Sequence, residues 1–141
     1  MLWIKTFFGI LFQTLLLGIF LYLPALTLNW PDALLFLTIH FLITILASAY
    51  LLIVKPASIE ARMNYDSKTQ PKEDRLATVL MLSAIVVGLS LAPMDIFHVN
   101  LSTSFEGYIK NIGLGLYIFG MLLVMASMNA NEFAETTVNI Q

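Results

Sequence analysis

Four long apolar blocks constrain this chain more than any other feature: Phe7–Leu28, Ala33–Val54, about Leu76–Pro93 and about Ile112–Met128. Each holds 17 to 22 residues. As α-helices they would extend about 26–33 Å at 1.5 Å per residue, against a hydrocarbon core about 30 Å thick. Lipid offers no partner for backbone N–H and C=O groups, so a spanning segment must be a helix or part of a closed barrel. Barrel strands alternate apolar and polar residues. The run Ala33-Leu34-Leu35-Phe36-Leu37 does not alternate. The expected fold class is therefore all-α: a polytopic membrane protein with four transmembrane helices in one domain, residues 1–141.

Composition agrees. Hydrophobic residues make up 59% of the chain and charged residues 11%, against about 45–50% and about 25% in soluble domains. So few polar residues cannot cover a water-facing surface. The net charge of −2 and the lack of a basic run exclude a nucleic-acid partner. The absence of cysteine excludes disulfides, thiolate catalysis and cysteine-held metals. The first block is longer than the apolar core of a signal peptide, and no clear cleavage site follows it, so it reads as a retained helix.

Lys and Arg set the expected orientation. Lys55, Arg62, Lys68, Lys72 and Arg75 fall in the connection between the second and third blocks, and Lys5 in the N-terminal tail. Only Lys110 falls on the other side. Both termini and the 55–75 loop are therefore expected in the cytoplasm. The first connection, Asn29-Trp30-Pro31-Asp32, is short enough to force an antiparallel hairpin. Pro31 suits the first helical turn and Asp32 its positive end. In the 55–75 loop, Ser58–Met63 reads as a short interfacial helix with Ile59 and Met63 towards lipid. Asn64–Ser67 reads as a turn, and Pro71 with Glu73 and Asp74 as a helix start. The third connection, about Met94–Asn111, is polar and without a motif.

Ionisable groups at membrane depth are costly and point to function by default. His40 lies mid-way along the second block, and the polar Gln13 lies in the first. His40 fits a proton relay, a ligand or a bond to a neighbouring helix. His40 and His98 belong to different depths and make no metal site. Small residues recur at Ala84, Gly88 and Ala92, and at Gly113, Gly120 and Ser127. They are candidate seams, either within the bundle or against another chain. Glu60 and Arg62, two residues apart, do not face each other. No P-loop, GxGxxG or HExxH occurs, and no catalytic residue or metal ligand is assigned.

Several segments, in order, resemble the start of bacterial isoprenylcysteine carboxyl methyltransferase-like membrane enzymes. They are Leu23-Pro24-Ala25, Asn29-Trp30-Pro31-Asp32-Ala33, Lys55-Pro56-Ala57-Ser58-Ile59-Glu60-Ala61-Arg62-Met63 and Lys72-Glu73-Asp74-Arg75. Leu91-Ala92-Pro93-Met94-Asp95 and the tail from Asn129 to Gln141 continue the match. The resemblance implies methyl transfer from S-adenosylmethionine to an acceptor on an apolar or prenylated substrate. In that family the Ile-Gln segment leads into Gly-Pro-Tyr and Arg-His-Pro motifs that build the cofactor pocket. Within these 141 residues no His follows His98, no Pro follows Pro93 and no Arg follows Arg75. The chain is therefore expected to be an N-terminal scaffold portion, inactive alone, partnered by lipid and by a C-terminal half or another membrane chain. Its expected location is the bacterial inner membrane. Asn131, Phe133 and Gln141 are the residues closest to such a pocket, and Glu60 and Arg62 are candidates for its cytoplasmic mouth. Two alternatives stand beside this: a non-enzymatic four-helix protein that packs on a partner, and a small transporter or channel subunit with His40 in its path.

Overall fold

The computed structural model describes residues 1–63, 72–100 and 107–130. It is all-helical, with no strand among the described residues. The helices are α1 (Leu2–Ala25), α2 (Pro31–Val54), α3 (Pro56–Met63), α4 (Lys72–Met94) and α5 (Gly107–Ala130), with a π-helical turn at Asp95–Val99 continuing α4. Four segments are long and apolar enough to cross a membrane: Leu2–Ala25, Pro31–Val54, Arg75–Val99 and Gly107–Ala130. No more than 17% of any of them is buried inside the chain. Their apolar surface is left for lipid, which makes this an integral, multi-pass membrane protein.

The expected spans are all present, with shifted ends. α1 begins at Leu2 rather than Phe7, because Trp3 and Ile4 continue its helix. It stops at Ala25 rather than Leu28. Pro24 sits in the last turn, and Leu26 takes a left-handed conformation (φ 54°) whose N–H reaches the Tyr22 and Leu23 carbonyls. That arrangement closes a helix, though glycine usually occupies the position. α2 starts at Pro31, with the fixed φ of proline in the first turn and Asp32 beside the helix's positive end. The third span runs past Pro93 to Val99 instead of ending there. Proline lacks the N–H that would bond four residues back, and the turn after it widens to π geometry before Asn100 (φ 57°) ends it. The third connection is correspondingly shorter than expected.

α1 is the centre. It packs along α2 on one side and α4 on the other, and α5 rests on α2. The order across the layer is α4, α1, α2, α5. One end of this layer, the near end, gathers the start of α1, the end of α2, α3 and the end of α5. There Leu51, Leu52 and Ile59 are buried together with Leu2 and Met128 packed against them. Ile59 thus faces inward rather than into lipid, because Pro56 turns α3 back under α2. Lys55 closes the end of α2 and donates from Nζ to the Asn129 carbonyl at 2.5 Å. It supplies a cation at the negative, C-terminal end of α5.

The opposite, far end holds the α1/α2 turn, the π turn and the start of α5. Trp30 meets Tyr22 and Phe97 edge-on, with ring centroids 6.3 and 5.3 Å away. Tyr22 donates its hydroxyl to the Trp30 carbonyl at 3.2 Å. His98 Nε2 donates to the Pro24 carbonyl at 2.8 Å, satisfying another open carbonyl at the end of α1. Lys110 and Asp32 pair at 2.6 Å, both more than half exposed. The turn Asn64–Ser67 and Pro71 lie outside the described residues.

Candidate functional site

Two features of the bundle bear on function: a groove open to lipid, and a polar seam between α2 and α5.

The groove, about 780 Å³, runs between α1 and α2 and is lined by residues such as Leu15, Gly18, Ile19, Leu34, Leu37 and Phe41. Gly18 shapes it. A Cβ added there would meet only the Leu37 Cδ1 at 3.5 Å, so the absence of a larger side chain leaves space between the helices. Thr14 and Thr38 also line it. Their hydroxyls fold back onto the carbonyls of Ile10 (2.9 Å) and Leu34 (2.8 Å), one turn earlier on their own helices. With those hydroxyls satisfied, the groove wall is effectively apolar. Tyr22 stands at its far end, held by Trp30.

The polar seam centres on His40. Its side chain is 4% exposed. Its Nδ1 is hydrogen-bonded to the Tyr117 hydroxyl of α5. Phe36, one turn earlier on α2, stacks on the imidazole (6.4 Å, 22° between planes) and lies 4.8 Å from the Tyr117 ring. The sequence singled out His40 but gave it no partner. Tyr117 is the residue that reading missed. The available signal was a phenol in the middle of an apolar helix, since a buried Tyr hydroxyl needs a partner. His40 Nε2 and the Thr44 hydroxyl, one turn apart on α2, are buried without partners.

Other sequence candidates fall elsewhere. Gln13 lies on the wall of a near-end cleft together with Thr44 and Ser48. His98 caps α1 and is not near His40. Glu60 is exposed at the near end; the side chain of Arg62 lies outside the described residues, as do Asn131, Phe133 and Gln141. No group of three or more His, Cys, Asp or Glu that would hold a metal exists among the described residues. Among the described residues, no glycine of either small-residue stripe is closely approached by another helix. Ala84, Gly88, Ala92 and Gly113 are exposed, and a Cβ added at Gly88, Gly113 or Gly120 would touch nothing within 4 Å. The α4 stripe faces outward, whereas Gly113 lines a cleft beside Asp32, Leu35 and Phe36 of α2 and Gly120 is half-buried.

Compared with protein-family models, with curated proteins and with solved structures, the chain matches none. The methyltransferase resemblance therefore rests on the ordered segments quoted above.

Proposed function

We propose that this chain is the membrane scaffold portion of an isoprenylcysteine carboxyl methyltransferase-like enzyme, and that its role is to hold the apolar tail of the methyl acceptor. The observation that carries the reading is the groove between α1 and α2. It is apolar along its length, large enough for an isoprenoid segment, and open sideways to lipid. A prenylated substrate would slide in from the bilayer without crossing water, and its tail would be held there by packing against the groove wall, since leaving lipid brings no hydrophobic gain. Alignment of the acceptor with a sulfonium methyl group would need the S-adenosylmethionine motifs of the family. Those motifs do not occur among these residues, so methyl transfer is assigned to this chain only together with a polypeptide that carries them. The basic residues of the N-terminal tail and the 55–75 loop support a cytoplasmic near end. In a bacterium the membrane is then the inner one.

The test is binding of fluorescent S-farnesyl cysteine to the protein in nanodiscs. Saturable binding that weakens about tenfold in Gly18→Phe, which fills the groove, is the expected result. Absence of saturable binding contradicts it. Calorimetry with S-adenosylmethionine should give no micromolar binding to this chain by itself, and such binding would overturn the claim that the scaffold is inactive alone.

A second reading is favoured by the outward-facing stripe on α4. Small residues in lipid allow backbones of neighbouring helices to approach closely. A partner helix packed on Ala84, Gly88 and Ala92 would be displaced by Gly88→Leu. An unchanged cross-linking pattern for that variant would count against such packing.

A further inference from the structure

Two clefts approach the α2/α5 seam from opposite ends of the bundle. The far-end cleft, about 500 Å³, has Asp32, Lys110 and Asn111 on its wall and includes Tyr117. The near-end cleft, about 450 Å³, has Lys5 and Thr6 on its wall and includes Gln13, Ser48 and Thr44. Along α5 the first reaches Tyr117 and the second begins at Met121, one turn or about 6 Å away. From Lys110 to Tyr117, and again from Met121 to Met128, is about 10 Å of helix. The two clefts and the gap together therefore match the thickness of the hydrocarbon core. What separates them is the His40–Tyr117 pair, with Thr44 one turn further along α2.

The hydrogen bonding at this septum is incomplete. A neutral imidazole has one donor and one acceptor nitrogen. If Tyr117 donates to Nδ1, the phenol proton and Nδ1 are both satisfied and only the Nε2 proton lacks an acceptor. The reverse leaves both the phenol proton and Nε2 unmatched, so the first arrangement is preferred. Nε2 and the Thr44 hydroxyl remain without partners, out of contact with solvent. By contrast, Thr6, Thr14 and Thr38 satisfy their hydroxyls on their own helices. Unpaired buried polar groups are costly, and a water that bonds two of them removes the cost.

We propose that His40 and Tyr117 form a proton-conducting septum, which conducts when water joins His40 Nε2 to Thr44 and the near-end cleft. A proton arriving from the far-end cleft binds the Tyr117 oxygen as the phenol's own proton passes to Nδ1. The imidazolium then releases its Nε2 proton to the water on the Thr44 side. A half-turn of the ring about Cβ–Cγ then brings the bare Nε2 to Tyr117 and the Nδ1 proton to the Thr44 side, so the next proton passes with the roles of the two nitrogens exchanged, and a second half-turn restores the starting arrangement. One proton enters, one leaves, and no bond between heavy atoms changes. The charged groups facing the path are Asp32 and Lys110 at one mouth and Lys5 at the other. Among the described residues none lies at the depth of His40, so the imidazole is the carrier. This proposal stands independently of the methyltransferase reading.

The experiment is proton uptake into pyranine-loaded liposomes, driven by a potassium gradient and valinomycin. The wild-type protein should exceed protein-free vesicles at least tenfold. His40→Phe should fall to the vesicle background, and Tyr117→Phe should lose about tenfold. His40→Gln keeps an amide to bond Tyr117 but cannot carry a proton, and it should also fall to background with its helical circular dichroism unchanged. Wild-type flux equal to that of empty vesicles overturns the proposal. So does full flux in His40→Gln.

Discussion

At the residue scale, the chain handles polar atoms in lipid by giving each a local partner, and the exceptions are informative. Three threonines bond backward along their own helices. His40 instead bonds across to Tyr117. Hydrogen bonds between membrane helices average about 0.6 kcal/mol and reach about 1.7 kcal/mol, because the separated helices also find partners. A double-mutant cycle with His40→Phe and Tyr117→Phe, read by unfolding in mixed micelles, should return a coupling energy in that range. Zero coupling would mean the two side chains do not interact. Leu26 is the other exceptional residue. It is a left-handed leucine with its side chain 79% exposed. The left-handed conformation costs about 1–2 kcal/mol for a residue with a Cβ. Leu26→Gly removes that strain but raises the chain entropy of the unfolded state, which offsets part of the gain. The expected net result is a stabilisation on the order of 0.5 kcal/mol, measured in the same micelle assay. Destabilisation would show that the exposed leucine contributes more than its strain. Asn100 holds the same conformation at the end of the π turn, and Asn tolerates it well.

At the element scale, the number and kind of elements were legible in the sequence, because the signal for a spanning helix is length and hydropathy alone. The Asn29–Asp32 hairpin and the short helix after Pro56 were legible for a similar reason: proline fixes where a helix begins. Which faces meet was not legible. The helices are apolar on all sides, so periodicity carries no direction. The stripe at Ala84/Gly88/Ala92 looks like a seam in sequence yet faces outward, and of Gly113/Gly120/Ser127 the first lines a cleft against α2 without close contact. The approach that shapes the groove uses Gly18, alone among leucines. Ile59 was expected towards lipid and is buried, since the direction of α3 depends on the turn at Lys55 and Pro56. The His40–Tyr117 pair spans 77 positions and depends on α5 lying beside α2, an order that spacing does not encode. The Lys55 contact with Asn129 gives a prediction for α5. Lys55→Met removes a cation from the C-terminal carbonyls, an interaction worth about 0.3–1 kcal/mol and up to about 2 when partly buried. Amide exchange in the last turn of α5 should accelerate about fivefold, with earlier turns unchanged. Uniform acceleration along α5 would place the effect elsewhere.

At the scale of the whole molecule, the account depends on lipid covering the outer faces of the four long helices. Large apolar side chains such as Phe12, Leu46, Leu80 and Leu116 are more than half exposed. In water such a surface would drive aggregation. In a bilayer it is the solvated surface, and the polar ends fall at the two interfaces. Aromatic rings mark the far end and Lys55 the near end, the distribution expected of a membrane-crossing bundle. Because the chain contains no cysteine, single-cysteine variants report position without interference. The most direct measurement is labelling of Asn29→Cys, Ala57→Cys and Leu116→Cys in sealed membrane vesicles with a membrane-impermeant maleimide. The account predicts that Asn29→Cys and Ala57→Cys react from opposite sides, and that Leu116→Cys reacts from neither. Rapid labelling of Leu116→Cys, or labelling of the other two from the same side, would contradict it.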